Sequence, residues 1–483
     1  MNILLVNPRF NGKSEIPPLG LASVAAPLLE ADMDVVILDL DIGESGDADD
    51  RLLQCLKEQR PSIVGVTSLS NSFASAMRVF ETVKAVNPDI LTVLGGIHGT
   101  VLFDRLHGDY GALDVIVRGE GEITFLELVR HHIDLKSFEG IPGISFRQGH
   151  RVVHNEERPM VSELDHFPLP AHHLIEGGRY RTRSISSSRG CAHNCTFCSI
   201  QSQYHRVVRF RKVNSLIEEI QGLLYFGAQR IMFTDDNFTF SLKRVRELCA
   251  EMIRQGFKGQ AAFYAQGRID DLCRNPVLAG MLSEAGFQAL YIGAESGSVE
   301  ILDYYGKGIR PDEILRGVSL CIEQNLTPVV NFILFGPKDR PDTIRQTIRL
   351  AKQLFENGAE IVYTEALIPY PGTPIQRELE REGKFRENRG VFYFQSYHGL
   401  EMDWFLRLCD GARVLTKLFH GDDLFFDTRK TYYELSYLDH LLAGEMPADL
   451  EACRGEAAGH FSREEIEVFY CQVKDLLKPA DGP

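Results

Sequence analysis

The chain has 483 residues, a formal net charge of −15, 44% hydrophobic residues and 25% charged residues. That length is a prior for two to four domains, the composition is ordinary for globular proteins, and the acidic balance argues against a nucleic-acid-binding surface. No apolar run reaches the length of a membrane span, and Met1-Asn-Ile-Leu-Leu-Val6 reads as a buried strand without the basic region of a signal peptide. Ten scattered cysteines form no disulfide framework and suit a reduced, cytoplasmic compartment.

Residues 1–135 read as a doubly wound, Rossmann-like α/β domain. Strand-like runs Ile3–Val6, Val35–Asp39, Ile63–Thr67, Leu91–Leu94 and Val115–Val117 alternate with helical patterns near 21–30, 51–59, 73–86, 101–107 and 123–131. Five such units predict a parallel sheet covered on both faces, with ligands beyond the carboxyl ends of the strands. Those ends carry Pro17-Pro-Leu19-Gly20-Leu21, Thr67-Ser68-Leu-Ser70, Gly95-Gly96-Ile-His98 and Gly119-Glu120-Gly121-Glu122. The glycines admit close approach of a ligand, although strand-to-helix turns favour Gly and Ser in any case. No GxGxxG follows the first strand, which argues against a nicotinamide site.

Residues 136–182 read as a linker. A hairpin through Arg147–Arg151 and prolines at 159, 168 and 170 predict a stiff, mostly extended connector. His166, His172 and His173 lack the spacing of a metal site and read as interdomain packing.

The run Ser188-Arg-Gly-Cys191-Ala-His-Asn-Cys195-Thr-Phe197-Cys198 places three cysteines at CxxxCxxC spacing. Zinc with His193 as a fourth ligand, a redox thiol pair, and three corners of an iron–sulfur cube all remain open on spacing. Zinc motifs usually bring a second ligand pair a dozen or more residues away, and none follows here. Thiolate-bound cubes normally have four protein ligands, so three imply an iron left open to chelate another molecule.

With Phe197 before the last cysteine, this run resembles the CxxxCx(aromatic)C signature of radical S-adenosylmethionine (SAM) enzymes, found after the first strand of a partial (β/α) barrel. The resemblance implies a [4Fe-4S] cluster on Cys191, Cys195 and Cys198. Its open iron would bind SAM and cleave it to methionine and a 5′-deoxyadenosyl radical. The upstream set of PPLGL, a Ser- and Thr-rich third strand end, a Gly pair followed by His, and GEGE resembles the cobalamin-binding domain that precedes the radical SAM core in one large subgroup. It implies cobalamin contacts at Leu19, Gly20, Thr67, Ser68, Ser70, Gly95, Gly96, His98, Gly119, Glu120, Gly121 and Glu122. Many such domains carry DxHxxG, whose His coordinates cobalt; here the segment is Asn7-Pro-Arg-Phe-Asn-Gly12. The expectation is cobalamin without a His lower ligand, with His98 near the nucleotide tail.

Residues 183–375 read as the radical SAM core, a partial (β/α)6 barrel with its site at the carboxyl face of the strands. Successive strands end in Asp235-Asp236-Asn237, near Gln266 and Arg268, in Gly293-Ala-Glu295, in Phe335-Gly336 and in the Pro369–Pro374 turn. On its own, the Asp pair would serve a helix dipole. By resemblance, Asp235, Asp236 and Asn237 stand where SAM's ammonium binds, Glu295 near its ribose and amino acid moiety, and Gly336 with the 369–374 turn around adenine. Phe197 belongs to the same cofactor set, and Arg268 is a SAM or substrate contact. Residues 376–483 read as a helical C-terminal region. Its aromatic clusters at Phe392–Tyr397 and Phe425–Tyr437, and Trp404, fit a core.

Two cofactors in one chain imply a methyltransferase acting on an unactivated carbon through a 5′-deoxyadenosyl radical and methylcobalamin. The runner-up is a cyclase, ring-contracting or oxidative enzyme that uses cobalamin without methyl transfer. From another class, a corrinoid or iron–sulfur sensor would bind cofactor without cleaving SAM. A metabolite, lipid or peptide substrate and a flavodoxin or ferredoxin electron donor are the expected partners, with no nucleic acid.

Overall fold

The computed structural model describes residues 2–10, 16–42, 47–134, 137–175, 180–364, 367–388, 391–394 and 439. In chain order the first domain runs β1 (Asn2–Asn7), α1 (Leu19–Glu30), β2 (Asp34–Asp39), α2 (Ala48–Gln59), β3 (Ile63–Thr67), α3 (Phe73–Val86), β4 (Leu91–Gly95), α4 (Ile97–Asp109), β5 (Val115–Val117) and α5 (Gly121–Asp134). Strand β1 sends Ile3 and Leu5 to one face of its sheet and Leu4 and Val6 to the other, as the two-residue strand period requires. One face packs on Leu52, Phe73 and Phe80 of α2 and α3; the other packs on Leu21, Ala25, Phe125 and Leu128 of α1 and α5. The parallel strands lie in the order β2-β1-β3-β4-β5. The order reverses between β1 and β3, which opens a crevice at their carboxyl ends.

The hairpin expected within the connector is present at residues 144–154, but it joins the sheet of the first domain. There β6 (Ile144–Gln148) and β7 (Arg151–His154) form a hairpin that pairs antiparallel with β5. Burial of Ile144 and Phe146 and closure of the open β5 edge explain the recruitment. Beyond it the chain is mostly extended and anchored to the first domain. Ala171 N donates to Ala22 O at 3.0 Å, and the Tyr180 hydroxyl donates to the Asp39 carboxylate, whose pKa burial raises.

The second domain continues with β8 (Arg183–Ile185), β9 (Ser188–Arg189), α6 (Ile200–Tyr204), β10 (Arg209–Phe210), α7 (Val213–Tyr225), β11 (Arg230–Phe233), α8 (Leu242–Arg254), β12 (Ala262–Gly267), α9 (Ile269–Arg274) and α10 (Val277–Ala285). It then runs through β13 (Phe287–Glu295), α11 (Val299–Tyr304), α12 (Pro311–Glu323), β14 (Thr327–Ile333), α13 (Pro341–Glu356), β15 (Glu360–Thr364) and α14 (Pro374–Arg381). Six parallel strands lie in the order β8-β11-β12-β13-β14-β15. Phe233, Phe263, Leu290, Val330 and Ile361 form the core with helix residues Leu248, Leu282, Val318 and Ile348. The sheet is thus covered by its crossover helices, and the polar loops gather at its carboxyl edge.

A short antiparallel hairpin, β16 (Phe385–Asn388) with β17 (Val391–Phe394), follows α14. Trp404, the 425–437 cluster and the rest of the expected helical C-terminal region, apart from residue 439, lie outside the described residues. Among the described residues no helix is long and apolar enough to cross a membrane.

Candidate functional site

The carboxyl ends of the two sheets meet across a cavity of about 350 Å³. From the first domain, Leu19 and Gly20 at the start of α1, Thr67 after β3, Gly95 and Gly96 after β4, and the turn 119–122 line it. From the second, Ser186, Ser188, Arg189, Tyr204, Thr234 and Asp236 line it, as does Phe167 of the connecting segment. Gly96 requires its residue type: φ is +90°, and a Cβ there would lie 2.5 Å from Ser68 O.

Ser68, Ser70 and His98 do not line this cavity. Ser68 is buried, with Oγ donating to Leu69 O at 2.9 Å. His98 and Ser70 line a smaller cavity of about 220 Å³ that also reaches Ser199 and Tyr370 of the second domain. There His98 Nδ1 is 3.0 Å from Ser70 Oγ, and its ring lies 4.3 Å from that of Phe73. Burial pulls the imidazole down to about 4, which keeps it neutral near pH 7.

The GEGE turn holds a finding that the sequence does not disclose. Glu120 meets Arg189 at 2.7 Å and Arg209 at 2.7 and 2.9 Å, while Glu122 meets Arg189 at 2.5 Å. Against the upward push of burial, the two guanidiniums hold the Glu120 carboxyl below its ordinary range. The turn lines the cavity, but its carboxylates are committed across the domain junction.

The cysteine loop is fixed from several directions. Gly190 has φ of +92°, and a Cβ there would lie 2.0 Å from Val207 O. Its N–H donates to Asp236 Oδ2 at 2.8 Å. Thr196 N donates to Tyr305 O at 2.9 Å, Thr196 Oγ1 to Tyr304 O at 3.0 Å, and Ile375 N to Thr196 O at 3.2 Å. The C-terminal end of α11 and the first turn of α14 therefore grip the residue between Cys195 and Phe197.

Burial and the neighbouring Cys195 and Cys191 push the Cys198 thiol up to about 11, so the three sulfurs lie within electrostatic reach of one another. Among the described residues, however, no group of three or more His, Cys, Asp or Glu converges to hold a single metal ion. Three neighbouring thiols are a donor set that fits a cubane, in which each cysteine would ligate a different iron. The His193 ring instead packs edge-on against Phe240, with centroids 6.5 Å apart.

The Asp235-Asp236-Asn237 triplet separates into three roles. Asp235 accepts from Ser187 N at 2.9 Å, Ser187 Oγ at 2.6 Å and Ser188 Oγ at 2.5 Å, which locks the end of β8. Asn237 donates to Asp271 Oδ2 at 3.0 Å inside the barrel wall. Asp236 alone of the three faces the cavity, and burial pushes its carboxyl up to about 6.

A second assembly surrounds the cysteine loop. Arg268 donates to Asp270 at 2.8 Å and to Lys307 O at 2.7 Å, and its Nη1 lies 3.7 Å from Cys195 Sγ. Lys307 in turn donates to Glu295 Oε1 at 2.7 Å, and Glu295 holds φ of +66°. Phe197 packs on Tyr305 with ring centroids 5.2 Å apart. Tyr305 also fills the space beside Gly336, where a Cβ would lie 2.1 Å from its hydroxyl oxygen. Gly336 N donates to Asp339 Oδ2 at 2.6 Å. Lys307 and Tyr305 were not singled out from sequence; the glycine-flanked run Tyr304-Tyr-Gly-Lys-Gly308 just beyond GAESG is the signal that marks them.

Comparison with known proteins agrees with this two-part site. The B12 binding domain family matches residues 9–129, and the Radical SAM superfamily matches residues 185–351. An uncharacterized methyltransferase of Pyrococcus horikoshii is 32% identical over 367 residues, covering 74% of this chain and 77% of that relative. An anaerobic magnesium-protoporphyrin IX monomethyl ester cyclase of Rubrivivax gelatinosus is 27% identical over 82% of this chain and 72% of its own. In fold, the chain is similar to the cobalamin-dependent SAM radical enzyme OxsB with aqua-cobalamin and SAM bound. That match has a TM-score of 0.75 at 17% identity and covers 99% of this chain and 79% of the other. With the cysteine loop, the barrel and the preceding doubly wound domain in one chain, the protein belongs to the cobalamin-binding radical SAM enzymes.

Proposed function

We propose that the chain is a methyltransferase that acts on an unactivated carbon. The observation that carries this reading is the cavity shared by the two domains, in which Thr67, Gly96 and the 119–122 turn face Ser188, Arg189 and Asp236. When bound, the cluster supplies the electron that cleaves SAM, and cobalamin supplies a carrier for a methyl group.

The chain's own residues then have distinct tasks. Cys191, Cys195 and Cys198 hold the cluster. Asp236 pairs with the SAM ammonium, while Arg268, Glu295, Phe197 and Gly336 form the rest of the SAM enclosure. Leu19, Gly20, Thr67, Gly95, Gly96 and the 119–122 backbone hold cobalamin. His98 and Ser70, in the adjoining smaller cavity, take its nucleotide tail. In this reading no histidine would hold cobalt from below, since the segment after β1 is Asn7-Pro-Arg-Phe-Asn-Gly12 in place of DxHxxG. A flavodoxin or ferredoxin as electron donor and a reducing cytoplasm complete the proposal.

The 32% relative is a methyltransferase, whereas the cyclase stands at 27%. SAM carrying a labelled methyl group separates the two activities without a known substrate. Cobalamin-dependent release of S-adenosylhomocysteine, alongside 5′-deoxyadenosine under reduction, is the outcome expected of a methyltransferase. Release of 5′-deoxyadenosine with no S-adenosylhomocysteine would replace this reading with the cyclase-like one.

A further inference from the structure

Arg189 of β9 and Arg209 of β10 are register partners on adjacent antiparallel strands, a placement in which like charges repel. Both close on Glu120. Arg189 Nη1 lies 2.7 Å from Oε1, and Arg209 reaches Oε2 at 2.7 Å and Oε1 at 2.9 Å. Glu122 takes the other arm of Arg189 at 2.5 Å. Two acids of the first domain thus match two cations of the second. The four side chains are 5–20% exposed.

A buried, matched ion set roughly breaks even against apolar packing, while removing one member strands a buried charge. Such a set adds little net stability yet tolerates only one arrangement, which suits a device that fixes register between parts. Its location gives that register a purpose. Glu120 and Glu122 belong to the turn lining the first-domain side of the cavity. Arg189 stands two residues before Cys191, with Gly190 between them tied to Asp236.

We propose that Glu120 is a positioning residue that, through Arg189 and Arg209, transmits occupancy of the first-domain cavity to the cysteine loop. Cobalamin binding orders the 119–122 turn, the turn holds β9 and β10, and the cluster loop that follows β9 is ordered in turn. This inference rests on the reading above that the cavity takes cobalamin.

The test is hydrogen exchange on anaerobically reconstituted, cluster-loaded protein with and without hydroxocobalamin. It follows the amides of Cys191–Cys198 and Arg209–Phe210, which do not line the cavity. In the unaltered protein, cobalamin is expected to slow their exchange about fivefold or more, the lower end of ordinary coupling between sites. The Glu120→Gln/Arg209→Gln double variant keeps the charge balance and leaves Arg189 with Glu122. At saturating hydroxocobalamin it is expected to be fully occupied, with unchanged iron content, but to lose the slowing. Glu120→Gln alone strands Arg209 and should lose the slowing with a lowered Tm; if it fails to fold, the double variant decides.

A merely structural role would lower the double variant's Tm and leave the cobalamin-induced slowing intact, and that result overturns the proposal. Cobalamin bound to the unaltered protein without slowing overturns it as well. Failure of the unaltered protein to bind cobalamin removes the functional reading itself, and this inference with it.

Discussion

Asp236 Oδ2 accepts the N–H of Gly190 at 2.8 Å, which ties a carboxylate on the cavity wall to the residue just before Cys191. Its neighbour Asp235 is consumed by Ser187 and Ser188. The two acids are adjacent in sequence, yet only Asp236 is placed to meet both a ligand and the cysteine loop.

Burial raises Asp236 from 3.8 to about 6, so its charge appears only as the pH climbs through that value. SAM affinity should therefore be flat above about pH 7 and fall as the pH drops through the folded-state pKa. Asp236→Asn should remove that inflection and weaken SAM on the order of 10- to 100-fold, as expected for a lost hydrogen bond to a charged group of ~1.5–3 kcal/mol. Stability of the ligand-free protein should move the opposite way. The folded state holds this proton more tightly than the unfolded chain, so its contribution is full below about pH 4 and lost as the pH rises through about 6. The Asn variant should be more stable than the parent near pH 8 by on the order of 2 kcal/mol. SAM titrations from pH 5.5 to 8, with urea unfolding at both ends, measure the two effects.

Gly190→Ala should abolish cluster loading. The new Cβ would meet Val207 O at 2.0 Å at a φ of +92°, and left-handed backbone alone costs a non-glycine residue on the order of 1–2 kcal/mol. Iron per chain after reconstitution is the measurement. Cobalamin should still bind, with affinity lowered by only about the fivefold coupling between the two sites, since Gly190 does not line the main cavity.

Gly96→Ala should show the reverse pattern. Its Cβ would sit 2.5 Å from Ser68 O and 2.8 Å from Ser68 N, so the turn after β4 must shift. A strained residue of this kind costs on the order of 1–3 kcal/mol, equivalent to about a tenfold or greater rise in cobalamin Kd. Iron content should be unchanged. Absorbance titration with hydroxocobalamin, paired with iron analysis, tests whether the two sites separate in this way.

Much of the site was legible because both domains repeat one rule: buried strands end in polar loops, and those loops converge at the carboxyl edge. The runs Ile3–Val6 and Ile63–Thr67 carried the first sheet, and the spacing of Cys191, Cys195 and Cys198 marked the cysteine loop. What stayed hidden depends on contacts far apart in sequence. Nothing local distinguishes Asp235 from Asp236; the difference is that Ser187 and Ser188, 48 and 47 residues away, claim the first. The carboxylates of the GEGE turn looked available to a cofactor until Arg189 and Arg209, 69 and 89 residues from Glu120, closed on them. The hairpin through Arg147–Arg151 was legible, but its place in the first sheet was not, because that depends on the open β5 edge it pairs with.

The most direct measurement is 5′-deoxyadenosine formed from SAM by anaerobically reconstituted protein under a chemical reductant, with metals quantified in the same sample. The expected result is about four iron atoms per chain, as a [4Fe-4S] cluster requires, and 5′-deoxyadenosine that disappears in Cys195→Ala. Stoichiometric zinc with negligible iron, and no 5′-deoxyadenosine from the parent chain, would contradict it.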